Sequence, residues 1–583
     1  MSKAFLGVDR SATGRRWVGP DAAQERHAEA LTQATGLPPA LCNVLARRGV
    51  AAQDVEMFLA PALRDLMPDP CVLRDMERAA TRILEAVTAR QRIAIFADYD
   101  VDGGASAALL LDWLGQLGRN ATLYVPDRIT EGYGPNAPAM QMLARDHDLI
   151  ICVDCGTLSH DPIAAAGPVD VIVIDHHLGG ETLPPALAVV NPNRQDESGD
   201  LGYLCAAGVV FMLLVAMNRL LRARSRPLPD LMAMLDLVAL ATVADVAPLV
   251  GLNRALVRQG LKVMARRARP GLVALADSAR LQTAPEAWHL GFLLGPRVNA
   301  GGRIGQPDLG ARLLCSRDEH EAAAMAARLE ELNAQRREIE EQVRLQAMAQ
   351  AEERGLDGPL VWAAGEGWHP GVVGIVAARL KEATNRPAVV IGLDGDEGKG
   401  SGRSVSGVDL GAAIARLAAE GLIVKGGGHR MAAGLSLRRE MLEPAMERLG
   451  VLLAAQGAGL AGPADLRLDG MLMARAATVE LVEQLDLAGP FGAGAPAPRF
   501  ALPSLGVAFS RRVGENHLQL TFSDGAGARL DAIAFRAFDG PLGEMLENHR
   551  GASFHAAGQL EIDSWGGRRK VKLRLEDIAP AQG

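Results

Sequence analysis

The feature that most constrains this chain is a short apolar run that stops abruptly on carboxylates. Ile93, Ala94, Ile95, Phe96 and Ala97 lead into Asp98, Asp100 and Asp102, then Gly103, Gly104 and an Ala/Leu-rich stretch. Such a run reads as a strand buried on both faces, as in a parallel sheet covered by helices. In an open α/β sheet, ligands sit where the carboxyl ends of strands meet the following helices. Three acids crowded there repel one another. A divalent cation with hard oxygen ligands removes that repulsion. For the isolated motif the plain alternative is a solvated acidic turn.

The same grammar returns downstream. Residues 149–153 read as a second such strand, ending at Asp154 and Gly156, and residues 171–174 as a third, ending at Asp175, His176 and His177. Asp245 closes the apolar helical run LDLVALATVADVAPL. If the strands are parallel neighbours, these groups collect at one edge of one sheet. A carboxylate-rich set with imidazole and no thiolate suits Mn²⁺ or Mg²⁺. An aspartate bridging two ions roughly 3.5–4 Å apart is the arrangement for in-line attack on phosphorus. His177 either orients a ligand or contacts the phosphate.

A chain of 583 residues is too long for one core and should hold three or four domains. With 49% hydrophobic and 22% charged residues it reads as globular. No apolar run approaches the roughly 20 residues of a membrane span. The opening residues lack an apolar signal core, so the expected location is cytoplasmic. Six irregularly spaced cysteines imply no disulfide framework. Cys152 and Cys155 form a CxxC without a second pair, read as one packed and one loop thiol. The net charge of −8 argues against a uniformly basic coat, but it leaves room for a local arginine groove.

The expected fold is α/β: two α/β domains joined by a long helix, followed by an all-β domain. Residues 1–90 read as a helical lead-in packing on the first sheet, with helices near 40–48 and 76–90. Residues 91–316 alternate strands and helices, including a helix at 105–117, a strand at 121–125 and the loop PDRITEGYGPN holding Arg128. Residues 317–355 form a charged helix with Met325, Leu329, Leu332, Ile339 and Val343 on one stripe. That pattern reads as a connector rather than a coiled-coil dimer, because Arg336 interrupts the stripe. A second, smaller α/β unit covers 356–450, with a strand at 387–393 and glycine-rich loops at GDEGKGSGRS and Gly426–Gly428 before His429. From 463 to 583 short alternating segments at 500–502, 518–522, 532–535, 554–562 and 571–575 suit a partly open five-stranded OB-fold. Trp565, Arg568, Arg569 and Lys570 are its candidate single-strand contacts; a solvated hairpin tip is the alternative.

DYDVDG, VDCG, IDHH and ATVADV, in this order, resemble the four motifs of the DHH phosphoesterases, most closely the bacterial RecJ branch. GYGPN, LGPRVNAGGRIG, HPGVVGIVAARL, KGSGRSV and KGGGHRMAAGLSL extend the match over about residues 90–440. The resemblance implies a DHH domain, a DHHA1 domain and an OB-fold. It implies a metal-dependent 5′→3′ exonuclease that degrades single-stranded DNA to 5′-mononucleotides in repair and recombination. The implied metal ligands are Asp98, Asp100, Asp102, Asp154, His176 and Asp245, with His177 beside them and two Mn²⁺ or Mg²⁺ ions. Ser401 and Arg403, with Arg128 and Arg303 across the cleft, are the implied 5′-phosphate pocket. Arg297, Asn299 and His429 are further substrate candidates. Cys155 stands where the family more often has asparagine, which leaves the ligands intact but can alter hydrogen bonding around them.

Two other readings stay open at this level. One is an oligonucleotide or cyclic-dinucleotide phosphodiesterase of the same superfamily, against which the barrel and the length argue. The other is a non-catalytic DNA-binding scaffold, which predicts missing ligands where this sequence has the full set. Implied partners are single-stranded DNA, a single-strand-binding protein and a helicase; the chain is expected to be a monomer that does not bind membranes.

Overall fold

The computed structural model describes residues 4–128, 130–459, 465–564 and 567–581. Ile93–Ala97 (β1) is buried along its whole length and lies between Thr122–Tyr124 (β2) and Leu149–Val153 (β3). Asp170–Ile174 (β4) and Ala188–Val190 (β5) complete a sheet in which every pairing is parallel. The strand order is therefore 2-1-3-4-5. Both faces are covered, which is why these strands carry no polar alternation. Ile93, Ile95 and Ala97 face one core with the helices Met76–Thr88, Val101–Gln116 and Ala206–Ala223. Ala94 and Phe96 face a second core with Ala139, Met140 and Leu143. The order reverses between β1 and β3, so the loops leaving their carboxyl ends diverge and open a crevice.

Ala206–Ala223 is the one described helix long and apolar enough to cross a membrane, but 72% of it is buried inside the protein. In the sequence Asn218 and Arg219 break the run. Asn218 accepts a 2.9 Å hydrogen bond from the indole of Trp113.

The connector is a single helix, Glu319–Arg354, of 36 residues, about 54 Å long. Its first half places Ala322, Ala326, Leu329 and Leu332 in the first domain's core, and its second half gives Val343, Ala347 and Ala351 to the second domain's core. Met325 and Ile339 are only half-buried, because alanines on the same face make the closest approach.

The second domain is a five-stranded mixed sheet in which Val361–Glu366 and Ala388–Asp394 run parallel and the remaining pairings are antiparallel. Here the structure corrects the sequence-based expectation. The two glycine-rich stretches are strands, Glu397–Arg403 and Lys425–Gly428, not loops. Glycine is required because a Cβ on Gly400 would lie 2.8 Å from Ile391, and one on Gly402 would lie 2.7 Å from Leu410.

Phe500–Val513, His517–Ser523, Arg529–Ala534, Ser553–Asp563 and Lys570–Pro580 form the barrel. Pairing of the first strand with the fourth closes it, in contrast to the partly open barrel expected from sequence. The first strand continues well past Leu502, although Pro503 reads as a breaker. The register shifts between Leu502 and Leu505, and Ser504 takes φ 51°, so the proline is absorbed in a bulge.

The amino-terminal segment also departs from expectation. Only its last part, from the short helix Leu63–Leu66 through Met76–Thr88, packs on the first domain. Leu31, Leu41 and Leu45 share a core with Leu485, Ala488 and Phe500, and the Trp17 indole donates to Asp577 at 3.0 Å. Trp17–Val18 even pairs with Leu466–Arg467, tying the chain's start to its barrel end. Cys155, expected as a loop thiol, is buried beside Cys152.

Leu329 is fully buried where the connecting helix meets the first domain's core. Leu329→Ala should cost about 2–5 kcal/mol, seen as a lower urea midpoint for the first unfolding transition. A midpoint equal to that of the parent chain would mean that the helix does not depend on this contact.

Candidate metal centre and phosphate pocket

The divergence between β1 and β3 is where the acids gather. Asp100 caps the helix Val101–Gln116, accepting from the amides of Asp102 (2.9 Å) and Gly103 (3.1 Å). Asp102 is buried and binds the first amides of another helix, Ala206 N at 2.7 Å and Ala207 N at 2.8 Å. A helix N-terminus stabilises negative charge. Asp154 follows β3 with φ 60°, a left-handed conformation that turns its carboxylate back over the sheet. A Cβ on Gly103 would collide with the Asp98 backbone, so the glycine lets the helix start directly above β1.

Three groups of ligand atoms result, each within 4.8 Å: Asp98, Asp100 and Asp154; Asp102, His176 and Asp245; and Asp154, His176 and His177. Asp154 belongs to two of them. His176 Nε2 lies 3.3 Å from Asp154 and 3.7 Å from Asp102, and its Nδ1 lies 3.9 Å from Asp245. Burial first, then mutual repulsion, pushes Asp98, Asp154 and Asp245 up, Asp245 to about 9. Oδ1 of Asp98 and Oδ1 of Asp154 are buried with no hydrogen-bond partner. Orphaned carboxylate oxygens amid mutually repelling acids are the setting a divalent cation fits. The donor set is oxygen-rich with imidazole, suited to Mn²⁺ or Mg²⁺ rather than to thiolate-bound zinc.

Asp175 plays a different part from the other acids. It accepts from the amides of Thr157, His176 and His177 and from His177 Nδ1 at 2.8 Å. Burial opposes its charge, but these donors win and hold it well below the usual carboxylate range. Burial likewise pulls His177 down, yet Asp175 outweighs it and raises the imidazole to about 9. Asn191 and Asn193 donate to the carbonyls of His177 (2.8 Å) and His176 (2.6 Å), fixing the loop. The Tyr133 hydroxyl lies 3.2 Å from His177 and donates to the Asp154 carbonyl. None of these supporting roles is legible in the sequence; only the Tyr133 loop, in GYGPN, carries a usable signal.

A second cluster forms where the two α/β domains meet. Arg303 Nη1 donates to the Gly371 carbonyl at 3.1 Å, and a side chain on Gly371 would collide with the Arg303 backbone. Arg403 Nη1 donates to Ser401 Oγ at 2.9 Å, and both side chains pack against Gly374. Arg128 lies over the Tyr99 ring at 5.3 Å. Among the described residues Arg128, Arg303 and Arg403 form no ion pair. Burial lowers Arg303 to about 10 and also lowers Arg403 and His369, with Arg128 adding repulsion in each case. His369 caps Pro370–Thr384 by accepting from Gly371 N, so that helix's N-terminus joins the positive cluster. The HPG signature is visible in the sequence, but the role of its histidine is not.

Not every sequence candidate converges here. Arg297 is buried and commits its guanidinium to Glu330 and the Leu293 carbonyl. Asn299 Oδ1 accepts from Val101 N at 3.0 Å, so it braces the Asp100–Asp102 turn. His429 sits exposed in the turn beside the end of the Arg403 strand. Arg569 pairs with Glu483, Arg568 is exposed, and Trp565 lies outside the described residues. On the barrel wall an exposed Phe535 contacts His517 at 5.4 Å and Arg574 at 5.7 Å.

A parallel sheet with carboxylates and histidine at its switch point, beside a cationic pocket where a second domain meets the first, defines a metal-dependent phosphoesterase of the DHH class. Residues 92–242 match the DHH family N-terminal domain, 357–454 the DHHA1 domain and 468–577 the RecJ OB domain. The single-stranded-DNA-specific exonuclease RecJ of Escherichia coli is 36% identical over 566 residues, covering 93% of this chain and 96% of that protein. The crystal structure of RecJ in complex with Mn²⁺ from Thermus thermophilus superposes with TM-score 0.80 at 29% identity, covering 97% of this chain and 80% of that one. The same protein with Mg²⁺ gives 0.74 at 28%, covering 97% and 79%. The chain belongs to the RecJ family of single-stranded-DNA-specific exonucleases.

Four outcomes test this site. Mn²⁺ titration by calorimetry should show protons released on binding, because the acids are held above their usual range. Asp154→Asn should weaken Mn²⁺ by more than about 100-fold, and unchanged affinity would remove Asp154 from the centre. In metal-free protein, NMR should find His177 titrating near 9, so the imidazole is charged at neutral pH and discharges as pH rises through that value. Asp175→Asn should return it toward the ordinary histidine range.

Proposed function

We propose that this chain hydrolyses single-stranded DNA from the 5′ end, releasing 5′-mononucleotides. The observation that carries the reading is the joint presence of two sites. Asp98, Asp100, Asp102, Asp154, His176 and Asp245 lie together at the sheet's switch point, and Arg128 and Arg303 of the first domain lie with Ser401 and Arg403 of the second where the two domains meet. The catalytic unit is residues 91–316, preceded by the 1–90 lead-in. The connecting helix 317–355 sets its distance from the substrate domain 356–450, and the barrel 463–583 guides the strand.

The six ligands would hold two Mn²⁺ or Mg²⁺ ions, which supply water activation and neutralise phosphate charge when bound. Asp154 and His176, each shared between two ligand groups, would contribute to holding both ions. The chain's own groups do the rest. Arg403 and Arg128 grip the terminal 5′ phosphate, since a guanidinium fork matches phosphate oxygens. The helix N-terminus at Pro370 adds backbone donors to the same anion. His177, charged and oriented by Asp175, faces the scissile phosphate and stabilises charge developing there. A pocket that requires a free 5′ end makes the enzyme an exonuclease of fixed polarity. A cleft between two domains joined by one rigid helix admits one strand. Phe535 with Arg574 offers a stacking surface for bases on the barrel.

A scaffold role is disfavoured because every ligand position is filled and converged. The substrate calls for a helicase to free the strand and a single-strand-binding protein to hold it open. In this reading the chain works as a monomer and meets its DNA substrate in the cytoplasm.

A time course with 5′- and 3′-labelled single and double strands, with and without Mn²⁺, tests the reading. The 5′ label should appear first as mononucleotide, only from single strands and only with metal. Early release of the 3′ label would reverse the polarity. Arg403→Ala should lower the preference for 5′-phosphorylated over 5′-hydroxyl ends at least about tenfold, and an unchanged preference would reject that role.

A further inference from the structure

The amino-terminal helices, the first domain and the segments leading into the barrel together enclose a cavity of about 810 Å³. Its apolar walls include Met57, Phe58, Leu66, Val250 and Pro496. Six arginines also line it, and some of them are neutralised: Arg47 faces Asp469 at 3.8 Å, Arg499 binds Glu576 at 2.8 Å, and Arg15 lies 3.6 Å from Asp577. Arg48, Arg254 and Arg467 have no ion pair among the described residues. Asp54 and Asp465 share the lining, but neither forms an ion pair with these three.

Arg254 is only 4% exposed. One nitrogen, Nη2, donates to the carbonyls of Phe58, Ala488 and Gly489, while Nε and Nη1 have no partner. Its guanidinium lies over the Phe58 ring at 3.9 Å. Arg48 donates to the carbonyls of Ala488 (2.8 Å) and Pro496 (2.7 Å). Carbonyl oxygens satisfy donors but do not cancel charge. Burial, then Arg48 and Arg258, lowers Arg254 to about 10. Arg254 is thus a buried guanidinium with no acid acting on it among the described residues, while half-buried Arg48 shares only Asp469, the acid that also faces Arg47. Such an excess of buried positive charge beside an apolar wall is costly unless an anion joins it.

We propose that this cavity is a binding site for an organic phosphate with an apolar or aromatic body, about the size of a mononucleotide. Its volume lies in the range of small-molecule sites, roughly 300–1,000 Å³, with the usual mixture of apolar lining and a few polar groups. Guanidinium forks recognise the phosphate, and Phe58 with its apolar neighbours receives the body. The site is separate from the residues placed above in catalysis, and it does not depend on the exonuclease reading.

The test uses full-length protein carrying Arg403→Ala, in EDTA, so that neither the metal centre nor the interdomain phosphate pocket contributes. The probe is 1,N6-ethenoadenosine 5′-monophosphate, followed by fluorescence anisotropy. We expect one saturable site with Kd below about 1 mM. Arg467→Glu, at an exposed position, and Arg48→Met should each weaken it at least about tenfold, with far-ultraviolet dichroism confirming the fold. AMP should displace the probe at least about tenfold better than inorganic phosphate, and adenosine should not displace it. No saturable binding, binding indifferent to both substitutions in folded protein, or inorganic phosphate competing as well as AMP would each overturn the proposal.

Discussion

The rest of this structure depends on holding mutually repelling carboxylates together out of water. Buried acids at short range raise one another's proton affinity. The fold answers with backbone donors and with the neighbouring imidazoles. Asp102 draws on the first amides of Ala206–Ala223, and Asp100 on the start of the helix it caps. What these donors leave unsatisfied, one oxygen each on Asp98 and Asp154, points into the cluster. The hydrogen-bond deficit is thus localised where divalent cations of the family's kind would relieve it.

Local strain sits beside the same ligands. Asp154 adopts φ 60°, and so does Val246, directly after Asp245. A β-branched residue in the left-handed region is unusual. Such conformations persist only where the surroundings over-determine them. Here a covered sheet on one side and the packed helix Leu235–Ala244 on the other supply that constraint.

The second half of the machinery depends on rigid separation. A phosphate pocket selects an end only if its distance to the metal centre is fixed. The connecting helix belongs to both cores, so the two domains cannot slide without unpacking one of them. The close approach of Gly371 to Arg303, which excludes any side chain at that position, locks the contact from the other side.

The sequence by itself determined the buried strands, their acid and histidine ends, the long connector and the barrel, because each is written in local periodicity and turn chemistry. Runs such as 93–97 and 149–153 need no distant partner to be read. Tertiary structure alone decided which arginines stay free. Arg297 and Arg403 look alike in sequence, but Glu330 neutralises one, while among the described residues no acid pairs with the other. It also decided that glycine-rich stretches become strands, since Ile391 and Leu410 fill the space a side chain would take. Finally, it sent the amino-terminal helices to the barrel end, because an apolar helix face does not specify which distant surface will cover it.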